Sequence, residues 1–318
     1  MQNENTLTNK QALKIKKRKA LVAYFKDNYD LYLFLIPTII LIFIFCYVPL
    51  YGIQIAFKDF SPRKGITGSD WIGFSQFIRF FDSAYFGLVM KNTILLSVYQ
   101  LIASFPVPII LALLLNSMGS KKYKKIIQTV TYAPNFISVV VICGMLLIFL
   151  SPRNGIVNSF LAMFGVDPIN FIAHPEYFRS IYVWSGVWQS AGFSSIIYMA
   201  ALSGISPELH EAAVVDGATK LQRIINIDLP GILPTATILL IMSFGGLISI
   251  GFEKAYLLQN SLNAQTSEII STYTYKIGLV DNDLGFSTAI GLFNSAINCV
   301  LLIAVNYISR KISETSLW

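Results

Sequence analysis

Six long stretches of this sequence contain no charged residue and no histidine, and this pattern restricts the chain to a membrane-spanning fold. The stretches cover residues 31–57, 92–120, 126–152, 180–207, 229–252 and 284–309. Each is longer than the roughly 20 residues with which an α-helix crosses the hydrocarbon core of a bilayer. Because lipid offers the backbone no hydrogen-bond partners, a crossing segment must pair its own peptide groups, as a helix does. The sequence therefore predicts an all-α integral membrane protein with six transmembrane helices.

The composition predicts one membrane domain without an appended soluble domain. Charged residues make up 13% of the chain and hydrophobic residues 54%, whereas soluble domains carry about 25% charged residues. The first uncharged stretch is too long for a cleavable signal peptide, and no small-residue cleavage site follows it, so we expect an uncleaved first span. The three cysteines lie inside uncharged stretches, where we expect small buried hydrophobes. Their spacing suits no metal site.

Basic residues set the predicted orientation. Lysine and arginine are concentrated at 10–26, 121–125 and 310–311, and six spans place all three segments on one side. By the positive-inside rule that side is the cytoplasm. The net charge of +7 then reflects topology and attraction to anionic lipid. No basic patch is interleaved with stacking aromatic residues, so binding of nucleic acid is not favoured. The predicted parts are a basic cytoplasmic N-terminal tail (1–30), a six-helix domain (31–309) and a cytoplasmic C-terminal tail (310–318).

A polar stretch between the fourth and fifth uncharged stretches has the signals of a helical hairpin. Ser206 is suited to cap a helix, with Pro207 at its first position and Glu208 in its first turn, where the helix dipole favours a negative charge. Gly217 supplies the conformational freedom that ends this helix. The sequence therefore predicts a first helix that ends at residue 216.

A second short helix is predicted immediately afterwards. Thr219 and Gln222 have the spacing of a capping box. Leu221, Ile224, Ile225 and Leu229 predict a buried face, and Pro230 is expected to end the helix. The cytoplasmic hairpin, residues 206–230, is either a docking site for another protein, since the small Ala212 and Ala213 permit close approach, or a helix pair that packs only on its own chain.

The hairpin resembles the EAA loop of ABC importer permeases, which grips the ATP-hydrolysing subunit. That family has E-A-A, three residues, Gly, nine residues and then Ile-x-Leu-Pro, with D-G-A around the glycine in sugar importers. The matching residues here are Glu211, Ala212, Ala213, Asp216, Gly217, Ala218, Ile227, Leu229 and Pro230. His210 stands where related chains often have tyrosine. This resemblance implies that these residues couple the chain to an ATPase.

Further segments of the chain resemble binding-protein-dependent sugar permeases. WIGFSQFIRFF (71–81) and KNTILLS (91–97) are similar to the start of sugar permeases of this type. Three later segments are similar to the LplB-type branch, which is associated with oligosaccharides and polysaccharide fragments: NGIVNSFLAMFG (154–165), VWQSAGFSSIIYMAAL (187–202) and SGISPELHEAAVVDGA (203–218). The resemblance implies a type I ABC importer permease fold, with a coupling helix between the fourth and fifth spans. It places the chain in a bacterial cell membrane, with both termini cytoplasmic.

The same resemblance implies a set of partners. They are a second permease subunit, expected to be a different chain, two ATP-binding subunits and an extracellular solute-binding protein that delivers the oligosaccharide. ATP and magnesium are expected on the ATPase subunits and not on this chain, which lacks a G-x-x-x-x-G-K-[ST] phosphate loop. The sequence also shows no catalytic Ser/His/Asp or Cys/His arrangement, and its two histidines are too isolated for a metal site. We therefore expect a transport subunit and not an enzyme.

Two alternatives remain open at this point. A permease for a non-sugar solute would carry the same hairpin. A secondary carrier would need no ATPase, but the membrane stretches lack the charged residues expected of ion-coupled transport.

Polar and aromatic side chains inside the spans are candidates for the substrate path. They are Trp184, Trp188, Gln189, Asn92, Gln100, Asn294 and Asn298. Sugars are bound by aromatic faces and by hydrogen-bonding side chains, so Trp188 with Gln189 is the favoured pair. The alternative for each amide is a hydrogen bond between helices, and for each tryptophan it is anchoring at the membrane interface.

Overall fold

The structure is a computed structural model that describes residue 24 and residues 27–313. The described part is built almost entirely from helices. In chain order they are α1 (Tyr29–Phe57), α2 (Ser75–Phe81), α3 (Ala84–Ser117), α4 (Lys121–Phe136), α5 (Val139–Phe149), α6 (Ile156–Ala162), α7 (Pro175–Ser203), α8 (Pro207–Val215), α9 (Lys220–Gly245), α10 (Phe252–Leu258), α11 (Ile270–Tyr275) and α12 (Leu284–Ser313). Single helical turns lie at Gly65–Gly68 and Ala264–Ser267. Most of the predicted tail 1–30, and the end of the tail 310–318, lie outside the described residues.

A short antiparallel ladder closes the segment between α1 and α2. Strands β1 (Lys58–Asp59) and β2 (Asp70–Trp71) pair with Lys58 opposite Trp71. The Trp71 ring stacks on Phe57, with ring centroids 5.5 Å apart. The end of α1 is thereby joined to the aromatic segment that precedes α3.

Four helices within the described residues are both long enough and apolar enough to cross a membrane. They are α1, α3, α9 and α12, and the bent pair α4 and α5 counts as a fifth span if it crosses as one unit. Helix α7 has 29 residues and is long enough, but it is not among the apolar ones, because serine recurs along it and Gln189 lies near its middle. A mostly helical, membrane-embedded fold is confirmed.

The third uncharged stretch is not the single straight helix that we predicted. Helices α4 and α5 meet at an angle of 100°. Pro134 lies in a terminal 3-10 turn of α4, and Ser138 begins α5, its Oγ accepting a hydrogen bond from Val141 N–H. The Gln189 side chain of α7 donates to the carbonyl of Ile137, 3.0 Å away. A proline, a cap and a glutamine on another helix therefore stabilise the break.

Buried residues form three clusters, two of which include α7. One joins α7 to α3, α5 and α10, the second joins α2, α3, α11 and α12, and the third joins α3, α7 and α9. The first part of α1 lies apart from these clusters, since none of the residues Tyr29–Ile42 is buried, whereas its last turns are packed and Ala56 is fully buried. The apolar side chains of Tyr29–Ile42 are therefore available to lipid or to another subunit.

Candidate functional site

A groove lined by both polar and apolar residues lies between α3, α7 and α9. Its larger part has a volume of about 410 Å³, and an adjoining part of about 220 Å³ shares Gln100, Leu101, Ser104 and Ser243 with it. The polar lining residues are Ser97, Gln100, Ser104, Ser190, Ser194, Tyr198 and Ser243. Binding sites for small ligands have volumes of roughly 300–1,000 Å³, so this groove is of a suitable size.

Hydrophilic residues recur at helical spacing on two walls of the groove. Ser97, Gln100 and Ser104 lie three and four residues apart on α3, and Ser190 and Ser194 lie four apart on α7. The Ser190 Oγ donates to the carbonyl of Gly186, 2.9 Å away, within its own helix. Its lone pairs therefore remain able to accept hydrogen bonds. A hydrophilic stripe within membrane helices is typical of a water-filled or substrate-binding cavity.

Of the predicted path residues, only Gln100 lines this groove. Asn92 is buried where α3, α7 and the turn before α11 meet. Its amide nitrogen donates to the carbonyls of Gln265 and Glu268, and its oxygen accepts from Arg179, each at 3.0 Å. Asn92 therefore joins three segments of the chain.

The predicted pair Trp188 and Gln189 is not assembled around a common cavity. Gln189 bonds the α4–α5 break, and the indole of Trp188 is half exposed. The Trp184 Nε1–H donates to the hydroxyl of Tyr99 at 2.9 Å. Because residues two apart on a helix lie about 200° apart, Trp184 and Trp188 face away from Gly186 and Ser190. Their place in a substrate path stays a prediction.

The two predicted asparagines of α12 bind the end of α9. Asn298 is buried; its Oδ1 accepts from Ile248 N–H at 3.0 Å, and its Nδ2 donates to Ser249 Oγ at 2.8 Å. Asn294 Nδ2 lies 3.3 Å from the same Ser249 oxygen. Asn298 therefore provides an acceptor for a buried backbone N–H just after α9 and ties α12 to that segment.

The variant Asn298→Leu is expected to destabilise the protein. It leaves the buried N–H of Ile248 without an acceptor, which costs about 1–3 kcal/mol, and thermal unfolding of the purified transporter in detergent should show a lower Tm. The control is Ser295→Leu, which changes an exposed residue of the same helix whose hydroxyl bonds only its own backbone. Equal melting temperatures for the two variants would contradict this role of Asn298.

The hairpin between α7 and α9 forms with the predicted caps. Ser206 Oγ accepts from Glu208 N–H, and α8 ends with Asp216 as its C-cap. Gly217 has φ = +78°, in the left-handed region that favours glycine. Thr219 and Gln222 form the predicted capping box at the start of α9. Sequence signals within four residues of each other were sufficient to predict this local structure.

Two predictions for the second helix are wrong. Pro230 does not end it: α9 continues from Lys220 to Gly245 through a π-helical turn at Ile224–Asp228. This turn places Pro230 among the first residues of the following α-helical segment, where its missing N–H is tolerated. The expected buried face is also absent in this chain, because Leu221, Ile225 and Leu229 are exposed and only Ile224 packs against the α3–α7–α9 cluster.

The hairpin tip presents uncovered apolar side chains. No residue of α8 is buried, and Leu209, Val214 and Val215 are exposed, Val215 to 87%. The remaining motif residues lie along the same hairpin: Glu211, Ala212, Asp216 and Gly217 are exposed, and Ala213, Ala218 and Ile227 are half-buried. Exposed apolar residues of this kind are typical of an interaction surface.

A buried carboxylate ties the hairpin to the groove helices. Asp228 Oδ1 lies 3.2 Å from His210 Nε2 of α8 and 3.4 Å from Asn116 Nδ2 of α3. Asp228 itself belongs to α9 and is buried. Asp228 therefore connects α8 to two of the three helices that line the groove.

Sequence reasoning missed the groove serines and a buried lysine, Lys254. The groove serines could have been predicted, because serine recurs at i, i+4 spacing inside uncharged stretches. No comparable pattern marked Lys254, because it lies outside the spans among other polar residues.

Comparison with known proteins gives consistent matches along the chain. The family model described as "Binding-protein-dependent transport system inner membrane component" matches residues 104–314. The Bacillus subtilis (strain 168) protein called "Polygalacturonan/rhamnogalacturonan transport system permease protein YteP" is 39% identical over 96% of this chain and 95% of its own length. Protein LplB of the same organism is 37% identical over 93% of each chain.

Solved structures are as similar to this chain as these two relatives are. A chain from the crystal structure of a bacterial ABC transporter involved in import of the acidic polysaccharide alginate is 43% identical, with a TM-score of 0.85 over 92% of this chain and 99% of the other. A second, 42% identical at the same TM-score, comes from the alginate transporter in complex with an alginate pentasaccharide-bound periplasmic protein.

Proposed function

This chain belongs to the family of binding-protein-dependent transport system inner membrane components, and from that premise we propose that it is a permease subunit of an ATP-driven importer of acidic oligosaccharides. The observation that carries the proposal is similarity over nearly the whole length to a permease named for polygalacturonan and rhamnogalacturonan. Structural similarity to an importer of alginate, also an acidic polysaccharide, supports the same substrate class. The serine-lined groove supplies the hydrogen-bonding groups that a sugar needs.

The hairpin, in this proposal, docks on an ATPase subunit. Its tip exposes Leu209, Val214 and Val215, and the Asp228 contacts connect it to α3 and α9. Closure of the ATPase subunits on ATP and magnesium then displaces α8, and the displacement shifts the groove between inward-facing and outward-facing states. Glu211, Asp216 and Gly217 belong to the docking surface, as the EAA-type pattern implies. The chain itself hydrolyses no ATP.

The proposed assembly crosses the bacterial cell membrane with both termini in the cytoplasm. Helix α7 is the sixth span, in addition to α1, α3, the α4–α5 pair, α9 and α12. The serine face of α7 makes its composition too polar for it to be recognised as a span. In the fold, α3 and α9 cover that face at the groove. A second permease, expected to be a different chain, two ATPase subunits and an extracellular binding protein complete the transporter.

Uptake by the reconstituted transporter tests the proposal. Proteoliposomes that contain both permeases and the ATPase subunits, supplied with the binding protein and internal ATP, are expected to accumulate radiolabelled trigalacturonate. Liposomes with an ATPase variant unable to hydrolyse ATP serve as the control. Uptake by this chain without the ATPase subunits would favour a secondary carrier. Transport of peptides or amino acids but not of trigalacturonate would favour a non-sugar permease.

A further inference from the structure

Lys254 of α10 is a buried cation beside the groove. It lies at the end of the groove that is nearest its own segment, residues 253–283. Its side chain is 7% exposed. The Nζ donates to the carbonyl of Tyr182 at 2.7 Å and lies 5.0 Å from the centroid of the Tyr182 ring. Among the described residues no carboxylate lies within 4.0 Å of it. A buried charge without a counter-ion is costly, so this arrangement requires an explanation.

The absence of a side chain at Gly186 brings the ammonium next to the groove. A Cβ at Gly186 would lie 3.2 Å from Lys254 Nζ, and 3.5 Å and 3.6 Å from the Nε2 and Oε1 atoms of Gln100. The ammonium and the Gln100 amide therefore flank the same point on α7. Gln100 lines both parts of the groove, so a ligand that reaches its amide also approaches the ammonium.

Two further polar groups at this end have no hydrogen-bond partner among the described residues. They are the hydroxyl of Ser97, which is 2% exposed, and the Oε1 of Gln100. Both residues line the smaller part of the groove. Buried polar groups are normally satisfied, so unpartnered groups that line one cavity indicate a polar ligand.

We propose that Lys254, together with Ser97 and Gln100, forms a binding site for the carboxylate of a uronate unit at this end of the groove. The ammonium supplies the charge and a free N–H donor, since Tyr182 occupies only one of its three. The Ser97 hydroxyl and the Gln100 amide bond the carboxylate or the neighbouring sugar hydroxyls. This inference rests on the proposed function, and it gives the permease its own selectivity for acidic sugars.

The ammonium is charged under working conditions. Burial lowers the pKa of Lys254 to about 8, so the side chain keeps its proton at neutral pH. Lysine at this position is therefore able to attract a carboxylate that enters a site of low dielectric constant, where such a contact is stronger than in water.

The test compares trigalacturonate with its fully methyl-esterified form, which has the same ring skeleton and no charge. ATP-driven uptake of both compounds is measured with the complete transporter carrying Lys254→Met, Lys254→Arg or Lys64→Met. Lys64 is an exposed lysine that pairs with Asp70 far from the groove lining, so its variant controls for the loss of one positive charge.

Lys254→Met is expected to lower uptake of the acid about tenfold, which corresponds to about 1.4 kcal/mol, because a charge-assisted hydrogen bond is lost, and to leave uptake of the ester within about twofold. Lys254→Arg should retain part of the acid uptake, and Lys64→Met should change neither. If Lys254→Met lowers uptake of both compounds equally, the proposed site is wrong. Lys254 would then only stabilise the structure through its hydrogen bond to Tyr182. An unchanged ratio of acid to ester would also overturn the proposed site. If the unmodified transporter takes up neither compound, the proposed substrate class fails instead.

Discussion

Val215→Asp is expected to lower uptake strongly without affecting the fold of the permease. Val215 is 87% exposed at the tip of the hairpin, so an aspartate there disturbs no contact within the described chain. In the assembled transporter the carboxylate would be buried unpaired against the ATPase, at a cost of about 2 kcal/mol or more. Since 1.4 kcal/mol corresponds to tenfold in an equilibrium constant, we expect uptake to fall by more than about tenfold.

The measurement is uptake in proteoliposomes together with co-purification of the ATPase subunits. The matched control is Val215→Leu, which keeps the tip apolar and should retain both. Membrane insertion, measured as the amount of permease extracted from membranes, should be the same for the two variants. Normal uptake and normal co-purification by Val215→Asp would contradict the docking role of the hairpin.

Gly192→Ala should have the largest effect on stability. A Cβ on Gly192 of α7 would lie 2.0 Å from the carbonyl oxygen and 2.4 Å from the carbonyl carbon of Thr131 in α4. These are backbone atoms, so no side-chain rotation relieves the collision, and the two helices must separate. Overpacking typically costs about 1–3 kcal/mol, and the collision with backbone places this variant at the upper end of that range or beyond it. We expect the Tm of the purified transporter to fall by several degrees.

Gly144→Ala is the matched control for Gly192→Ala. Gly144 lies within α5, and nothing lies within 4 Å of the position of its Cβ. Alanine favours helix formation more than glycine by about 0.8–1.0 kcal/mol, so this variant should be as stable as the parent or more stable. Similar melting temperatures for the two variants would show that α7 and α4 are not held in this close contact.

Close contact at Gly192 also supports the α4–α5 break. Gln189, one turn before Gly192, bonds the Ile137 carbonyl that the break exposes. Separation of α7 from α4 would remove this hydrogen bond as well. The two contacts add to Pro134 and the Ser138 cap in stabilising the 100° bend of the third uncharged stretch.

Local signals in the sequence predicted local structure well and failed where neighbouring helices intervene. The caps at Ser206 and Thr219 depend on residues within three positions and were predicted correctly. Pro230 was expected to end a helix because a proline lacks an N–H donor. The π-helical turn that precedes Pro230 shifts the hydrogen-bond register of the helix. No local sequence pattern predicted that turn.

The prediction of groove residues from the sequence has the same limit. Gln100 was selected because it is polar within a span, and it does line the groove. Asn92 and Asn298 were selected by the same criterion and bond other segments of the chain. Polarity inside a span therefore indicates that a partner exists, but only the packing of the helices shows whether that partner is backbone, side chain or ligand.

The sequence by itself determined that this chain is helical and embedded in a membrane, and it located the hairpin with its caps. These properties depend on the exclusion of charge from lipid and on hydrogen bonds between residues three or four positions apart. Only the tertiary structure decided which residues line the groove and which side chains remain without partners there. The groove is formed by α3, α7 and α9, and Lys254 of α10 lies beside it, near the Gln100 amide. Contacts between segments so distant in the chain depend on the complementary shapes of packed helices, and the pattern of any single segment does not contain them.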